Sequence, residues 1–281
     1  MSSRNIAVSG SRLLSAYAAL VYAFLYLPIV VLAVYSFNAG GVGGFPPRNL
    51  TLSWYRMLFQ DDAIWSTLLN SFIVALVAVA ISILLGLMAA LALDRVNFPG
   101  KALFRRVVLL PLILPGIITG LSLLMLFVAA GMKLSLVTIT LGHGTALISV
   151  ATTEIFAGLQ KVDRVHEEAS LDLGANQLTT FWRITLPNLR VSIIAAALLT
   201  FTLSLDEIAV SFFLIGRNNT LPLEIWSRLR RGITPEINAI STIILLFSII
   251  LILVWYRLRA HSANIAESAA TLPTAIQGDR A

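Results

Sequence analysis

Four stretches of this chain contain no Asp, Glu, Lys or Arg: Leu13 to Pro47, Ala63 to Leu93, Val107 to Met132, and Ile237 to Tyr256. Each reaches or exceeds the ~20 apolar residues that an α-helix needs to cross a ~30 Å hydrocarbon core. Lipid offers no partner for exposed backbone groups, so such stretches must satisfy their own hydrogen bonds as helices. The remaining composition agrees. The chain is 58% hydrophobic and 12% charged, against about 25% charged in soluble domains, and its mean hydropathy of +0.87 excludes a water-soluble globule.

The apolar runs predict an all-α bundle of six transmembrane helices, at about Leu13 to Phe37, Asn70 to Leu93, Val107 to Ala130, Leu136 to Leu159, Val191 to Ile215, and Ile237 to Tyr256. The first is expected to stay uncleaved. Its apolar stretch is far longer than a 7 to 15 residue signal core, and no A-x-A site follows. With the N-terminus inside, 13 of the 20 basic residues fall on the cytoplasmic side: Arg4, Arg12, Arg95, Lys101, Arg105, Arg106, Lys161, Arg164, Arg183, Arg190, Arg257, Arg259 and Arg280. The positive-inside rule therefore favours cytoplasmic N- and C-termini. Domain organisation follows: a cytoplasmic segment 1–12, one transmembrane domain 13–259 with a cytoplasmic loop 160–190, and a cytoplasmic tail 260–281.

Three local expectations accompany the spans. Thr220-Leu-Pro222 opens a short external helix, with Glu224 and Arg228 on one face, Trp226 at the membrane surface and Gly232 as terminator. Pro111 and Pro115 kink the third span, which should then be surrounded by protein rather than lipid. Gly116 and Gly120 let another helix approach it closely. The loop 160–190 reads as two helices, one capped by Asp163 and stopped at Gly174, the other capped by Asn176 and ending near Leu186-Pro187.

Enzyme chemistry is missing from the sequence. There is no H-E-x-x-H, G-x-S-x-G or P-loop. The lack of Cys removes thiolate metal sites and nucleophiles, and no cofactor is implied. His143 stands alone in the fourth span, where a hydrogen-bonded structural role outweighs a proton relay. The net charge of +6 reflects cytoplasmic loops rather than nucleic-acid binding.

Glu168-Ala169-Ser170, then three residues, Gly174, nine residues, Ile184, one residue and Leu186-Pro187 together resemble the E-A-A-x3-G-x9-I-x-L-P loop of bacterial ABC importer permeases. Ser170 in place of the second Ala is the single departure. The resemblance implies a type I importer permease of the inner membrane that pairs with a second permease of different sequence, two copies of a cytoplasmic ATPase and an external substrate-binding protein. On that reading Glu168, Ala169, Ser170, Gly174, Ile184, Leu186 and Pro187 form the loop that docks on the ATPase.

Span five holds Asp206 and Glu207, the only adjacent acids inside any span. Each carboxylate costs about 2.5–3.5 kcal/mol at a membrane centre, so the pair should face a cavity, a partner or a substrate. At 100° per residue Thr200, Ser204, Glu207 and Ser211 form a polar stripe, and Asp206 shares another face with Thr202. In an unbroken helix Glu207 lines the pathway and Asp206 points elsewhere; in an unwound one both reach it. The pair either meets a cationic substrate or neutralises an outer-loop Arg such as Arg217 or Arg228. Glu154, near the cytoplasmic end of span four, is expected to pair with Lys161 or a basic loop residue, the alternative being a lower waypoint for a cation.

The stretches Phe201 to Glu207, Leu221-Pro222-Leu223, Pro235 to Ala239, Tyr35-Ser36-Phe37-Asn38 and Thr119 to Leu123 resemble spermidine/putrescine permeases, whose acidic pair is usually Asp-Asp. The resemblance implies a pathway for a small organic cation, a polyamine first and an opine-like compound as the alternative, with Asp206, Glu207, Thr202, Ser204 and Thr200 lining it. A self-sufficient secondary transporter would leave the loop spacing unexplained. An intramembrane enzyme lacks a nucleophile.

Overall fold

A computed structural model of the chain describes residues 3–40, 49–232, 234–247 and 249–250, with side chains from residue 14 onward. Apart from an isolated bridge between Asn38 and Leu50, the regular elements among the described residues are helices. These are α1 (Ser3–Tyr35), α2 (Ser53–Phe59), α3 (Asp62–Arg95), α4 (Lys101–Ile113), α5 (Gly116–Ala129), α6 (Leu136–Leu159), α7 (Val165–Asp172), α8 (Gln177–Thr180), α9 (Leu186–Leu205), α10 (Ala209–Leu214) and α11 (Leu221–Arg231). A twelfth, α12, covers Pro235–Phe247. Four apolar segments are long enough to cross a membrane: Leu14–Tyr35, Asp62–Arg95, Leu136–Leu159 and Gln177–Leu205. The α4–α5 pair makes a fifth if counted as one span. The end of the expected sixth span, 251–256, lies outside the described residues.

The chain divides into two compact units, Asp62–Arg228 and the segments flanking it. In the first unit α3, α6 and α9 pack together, and small residues let them do so. Ala75, Ala78 and Ala90 on α3 are fully buried, and a Cβ at Gly86 would lie 2.7 Å from the Cβ of Ala151 on α6. Lipid tails are as apolar as Leu, so close backbone approach and dispersion, rather than water exclusion, hold such helices together. Two apolar clusters occupy opposite ends of α3. Val74 packs with Phe127, Ile139, Val210 and Leu214, and Ala90 with Ile155, Leu159, Leu189 and Ala196. Buried hydroxyls cost little because they return to their own helix, as Thr152 does to Ile148 O (2.7 Å) and Thr200 to Ala196 O (2.7 Å).

In the flanking unit the Tyr35-Ser36-Phe37-Asn38 turn is tied to α2. The Trp54 indole donates to Asn38 O (3.0 Å), and Ser36 Oγ, which donates to Ala33 O, lies 2.6 Å from Tyr55 Oη. The Leu14–Tyr35 segment is apolar and carries no buried residue, as a lipid-facing helix would.

Two sequence expectations need correction. The third span is no single kinked helix. α4 and α5 meet at Leu114-Pro115 with a bend of 111°, because Pro111 and Pro115 each lack the N–H that would continue the ladder. Among the described residues α4 has no buried residue, whereas Gly120 and Phe127 of α5 are buried. The second loop helix does not stop at Leu186-Pro187. α8 runs through a π segment, Phe181–Thr185, into α9; the wider π turn moves the Pro187 ring away from the preceding carbonyls. Of the two alternatives for span five the interrupted one holds: it breaks after Leu205 and resumes at Ala209.

Candidate functional site

The break in span five is built around Asp206 and Glu207. Asp206 caps α9 with φ −100° and ψ 1°. Glu207 turns its side chain forward, where Oε1 accepts a hydrogen bond from Val210 N at the start of α10 (2.9 Å). On the inner side, His143 of α6 lies 2.8 Å from Ser204 Oγ through Nδ1 and 2.9 Å from Ser211 Oγ through Nε2. Ser211 Oγ donates to Glu207 O (3.0 Å). A neutral imidazole with its proton on Nε2 satisfies this chain: Ser204 donates to Nδ1, Nε2–H to Ser211, and Ser211 to the backbone of Glu207. One imidazole thus fastens both halves of the broken helix. This is the structural histidine expected from sequence.

The second break adjoins the first. A Cβ on Gly116, the first residue of α5, would lie 3.2 Å from Ala209 Cβ and 3.6 Å from Glu207 Oε1. At Gly120 it would lie 2.8 Å from the Phe213 ring and 3.1 Å from Ala209 O. The helix that approaches the G-x-x-x-G pair is therefore α10 of the same chain. Two electrostatic features converge here. The N-terminus of α5, the positive end of its dipole, faces Glu207, while the C-terminus of α9 adds partial negative charge beside Asp206.

Asp206 is exposed and Glu207 half-buried. Among the described residues neither carboxylate makes an ion pair; Arg228 instead binds Glu224 at 2.8 Å across one turn of α11. Neutralisation by Arg217 or Arg228 is thus not observed. Thr200 and Ser204 are buried, facing α6, whereas Thr202 is exposed and donates to Leu198 O (2.9 Å). The stripe read from the helical wheel is one face, but its hydroxyls are used inside the packing. Glu154 is half-buried and, contrary to expectation, makes no ion pair with Lys161 or a loop residue among the described residues.

The loop 160–190 is ordered by its own sequence. Asp163 Oδ1 accepts from Val165 N (3.1 Å), and Asn176 Oδ1 from Thr179 N (2.7 Å). α7 ends in a Schellman motif: Gly174 N bonds Leu171 O and Ala175 N bonds Ser170 O, with Gly174 at φ +88°. Glu168 and Ala169 are exposed, Ser170 Oγ lies 3.0 Å from Thr180 Oγ1, Ile184 and Leu186 are half-buried, and Pro187 is exposed. The same loop exposes the apolar side chains Val165 (61%), Leu173 (90%) and Leu178 (67%) together with the polar Arg164, His166 and Asp172.

Sequence reasoning missed the acid beside Glu168. Glu167 points inward, where its Oε1 meets Arg95 Nη2 (2.9 Å) and Thr185 Oγ1 (2.8 Å). Asp94 receives Arg95, Arg164 and Gln160. Consecutive positions on a helix differ by 100°, so one of two adjacent acids facing outward sends the other elsewhere. The partner, 72 residues away, carries no local signal.

Comparison with known proteins fits this architecture. Residues 82–264 match the family described as binding-protein-dependent transport system inner membrane component. The putrescine transport system permease protein PotI of Escherichia coli (strain K12) is 38% identical over 260 residues, covering 88% of this chain and 91% of that protein. The spermidine/putrescine transport system permease protein PotC of Haemophilus influenzae is 34% identical, covering 85% and 93%. Among solved structures, a bacterial ABC transporter involved in the import of the acidic polysaccharide alginate shares the fold, with a TM-score of 0.66 at 18% identity over 92% of this chain and 97% of its own.

Proposed function

This chain belongs to the family of binding-protein-dependent transport system inner membrane components, and from that membership we propose that it is the polyamine-conducting permease subunit of an ABC importer. It works in the bacterial inner membrane as a multi-pass helical protein. Its six spans place both termini in the cytoplasm, residues 13–259 forming the permease domain between the segments 1–12 and 260–281. Its partners are a second permease, two copies of an ATPase that hydrolyses ATP, and an external binding protein. Transport needs no covalent chemistry in this chain.

The observation that carries the substrate reading is a pair of carboxylates, Asp206 and Glu207, at the meeting of two broken helices with no basic partner among the described residues. Discontinuous helices place unsatisfied backbone groups beside a transported solute in other membrane transporters. Here two full carboxylate charges and the C-terminus of α9 outweigh the partial positive charge at the N-terminus of α5, a balance that favours an organic cation. Polyamine permeases among the relatives agree with that class. In this reading Asp206, Glu207 and Thr202 border the pathway, while Thr200 and Ser204 stand behind them on α9.

Coupling is assigned to the exposed face of α7. Glu168, Ala169 and Ser170 dock on the ATPase, Gly174 turns the chain, and Ile184, Leu186 and Pro187 return it to the membrane. Rigid-body tilting of the helices then alternates access to the acids.

The test is ATP-dependent uptake of labelled putrescine and spermidine into vesicles carrying the complete complex. Asp206→Asn or Glu207→Gln, with assembly retained, should cut uptake at least about tenfold, as expected when a desolvated charge contact is removed. Normal uptake in both variants would make the pair structural and move selectivity to the binding protein.

A further inference from the structure

Resting on the assignment of α7 as the coupling helix, we propose that Asp94 and Arg95 are positioning residues that clamp this helix to the membrane helices and so make its displacement a rigid-body movement of α3. They lie at the end of α3 and were part of no recognised motif. Asp94 has a side chain only 4% exposed. A carboxylate so enclosed must be paired, and it meets Gln160 Nε2 at 2.6 Å, Arg95 Nε at 3.2 Å and Arg164 Nη2 at 3.2 Å. Arg95 extends the network through Nη2 to Glu167 Oε1 (2.9 Å), which also accepts from Thr185 Oγ1 (2.8 Å). The ends of α3 and α6, the start and middle of α7, and the π segment leading into α9 are thereby joined by one set of charge-assisted bonds.

The clamp divides labour between the two acids of α7. Glu168 stays exposed for a partner, while Glu167, held from two sides, fixes the angle at which α7 leaves the membrane. Without it α7 would hang on two flexible connections, and a push from the ATPase would be absorbed by loop bending. With it the push enters α3 directly. At its far end α3 is bonded to the outer loop: Asn70 Nδ2 donates to Asn219 O (3.0 Å), and Leu221 N donates to Ser71 Oγ (2.8 Å). Ser71 and Asp94 are roughly 35 Å apart along a continuous helix at 1.5 Å per residue. α3 is thus a strut fastened to the coupling loop at one end and to the outer loop, just beyond α10, at the other.

The experiment compares Arg95→Gln, Arg95→Lys, Glu167→Gln and Glu168→Ala in the complete reconstituted complex. Three quantities are read: retention of the ATPase subunit, ATP hydrolysed per putrescine imported, and hydrogen exchange of amides 165–173. Arg95→Gln and Glu167→Gln should retain the ATPase, raise ATP consumed per putrescine by about fivefold or more, the size of a modest coupling energy, and speed exchange in α7. Arg95→Lys, which keeps a cation for Glu167, should stay nearer to wild type.

Unchanged stoichiometry and exchange in both neutral variants would overturn the clamp. Loss of the ATPase subunit would overturn it too, making these residues part of the docking surface. The coupling assignment fails separately if Glu168→Ala docks and transports normally. If the wild type imports no putrescine, the exchange data decide alone: faster exchange with Lys rescue supports the clamp, and no change refutes it.

Discussion

His143 shows what one side chain does in this molecule. It is 2% exposed and fastens Ser204 to Ser211 across the gap between α9 and α10. His143→Leu should lower the stability of the purified chain by about 1–2 kcal/mol, since Ser204 loses its partner inside packed protein. A thermal unfolding curve in detergent checks this, and an unchanged midpoint would mean that the break holds itself. Glu207 has a comparable local duty. Gln at that position keeps an oxygen for Val210 N and should preserve the break, whereas Leu removes both the charge and the cap. Transport lost equally in both variants, with stability lost only in Leu, is the expected pattern. Sequence suggested a structural role for His143 but not its partners, which lie 61 and 68 residues away.

Among the elements, α7 was legible and the two broken helices were only partly so. α7 is set by near neighbours: Asp163 at its start and Gly174 at its end act over a few residues. Gly174→Ala should cost about 1 kcal/mol because φ +88° is unfavourable once a Cβ is present, and it should speed hydrogen exchange across residues 170–175. Pro187 marks the end of a loop helix in the sequence because a proline ordinarily stops one, and the π segment that carries the helix past it has no comparable sequence mark. Prolines announced an interruption in the third span, though not its 111° bend. The interruption after Leu205 has no Pro or Gly to announce it; acids, hydroxyls and a histidine from another helix make it. Packing of α5 on α10 is similarly testable. Gly120→Ala brings a methyl to 2.8 Å from the Phe213 ring and 3.1 Å from Ala209 O, an overpacking of about 1–3 kcal/mol that should lower the thermal midpoint.

On the scale of the whole molecule, the proposed six-span topology puts Gly131 and Arg217 outside and Gly174 inside. The chain contains no Cys, so single substitutions such as Gly131→Cys, Arg217→Cys and Gly174→Cys report topology without background. All three positions are glycines or exposed residues at turns. A membrane-impermeant maleimide applied to intact spheroplasts should label the first two and leave the third until the membrane is opened. Labelling of the third from outside would reverse the orientation and remove α7 from reach of a cytoplasmic ATPase.

Sequence by itself determined the solvent, the helical class and the local structure of α7, because charge-free length, side-chain period and a fixed local spacing are properties of contiguous residues. It also singled out Asp206 and Glu207, since a charge inside an apolar run is conspicuous wherever the run folds. Tertiary structure alone decided that Ser204 and Ser211 meet at His143, that the two helix breaks adjoin, and that Glu167 turns to Arg95 while Glu168 stays outside. Those outcomes depend on groups tens of residues apart competing for the same hydrogen bonds, and the winner of such a competition is settled only when the helices are packed.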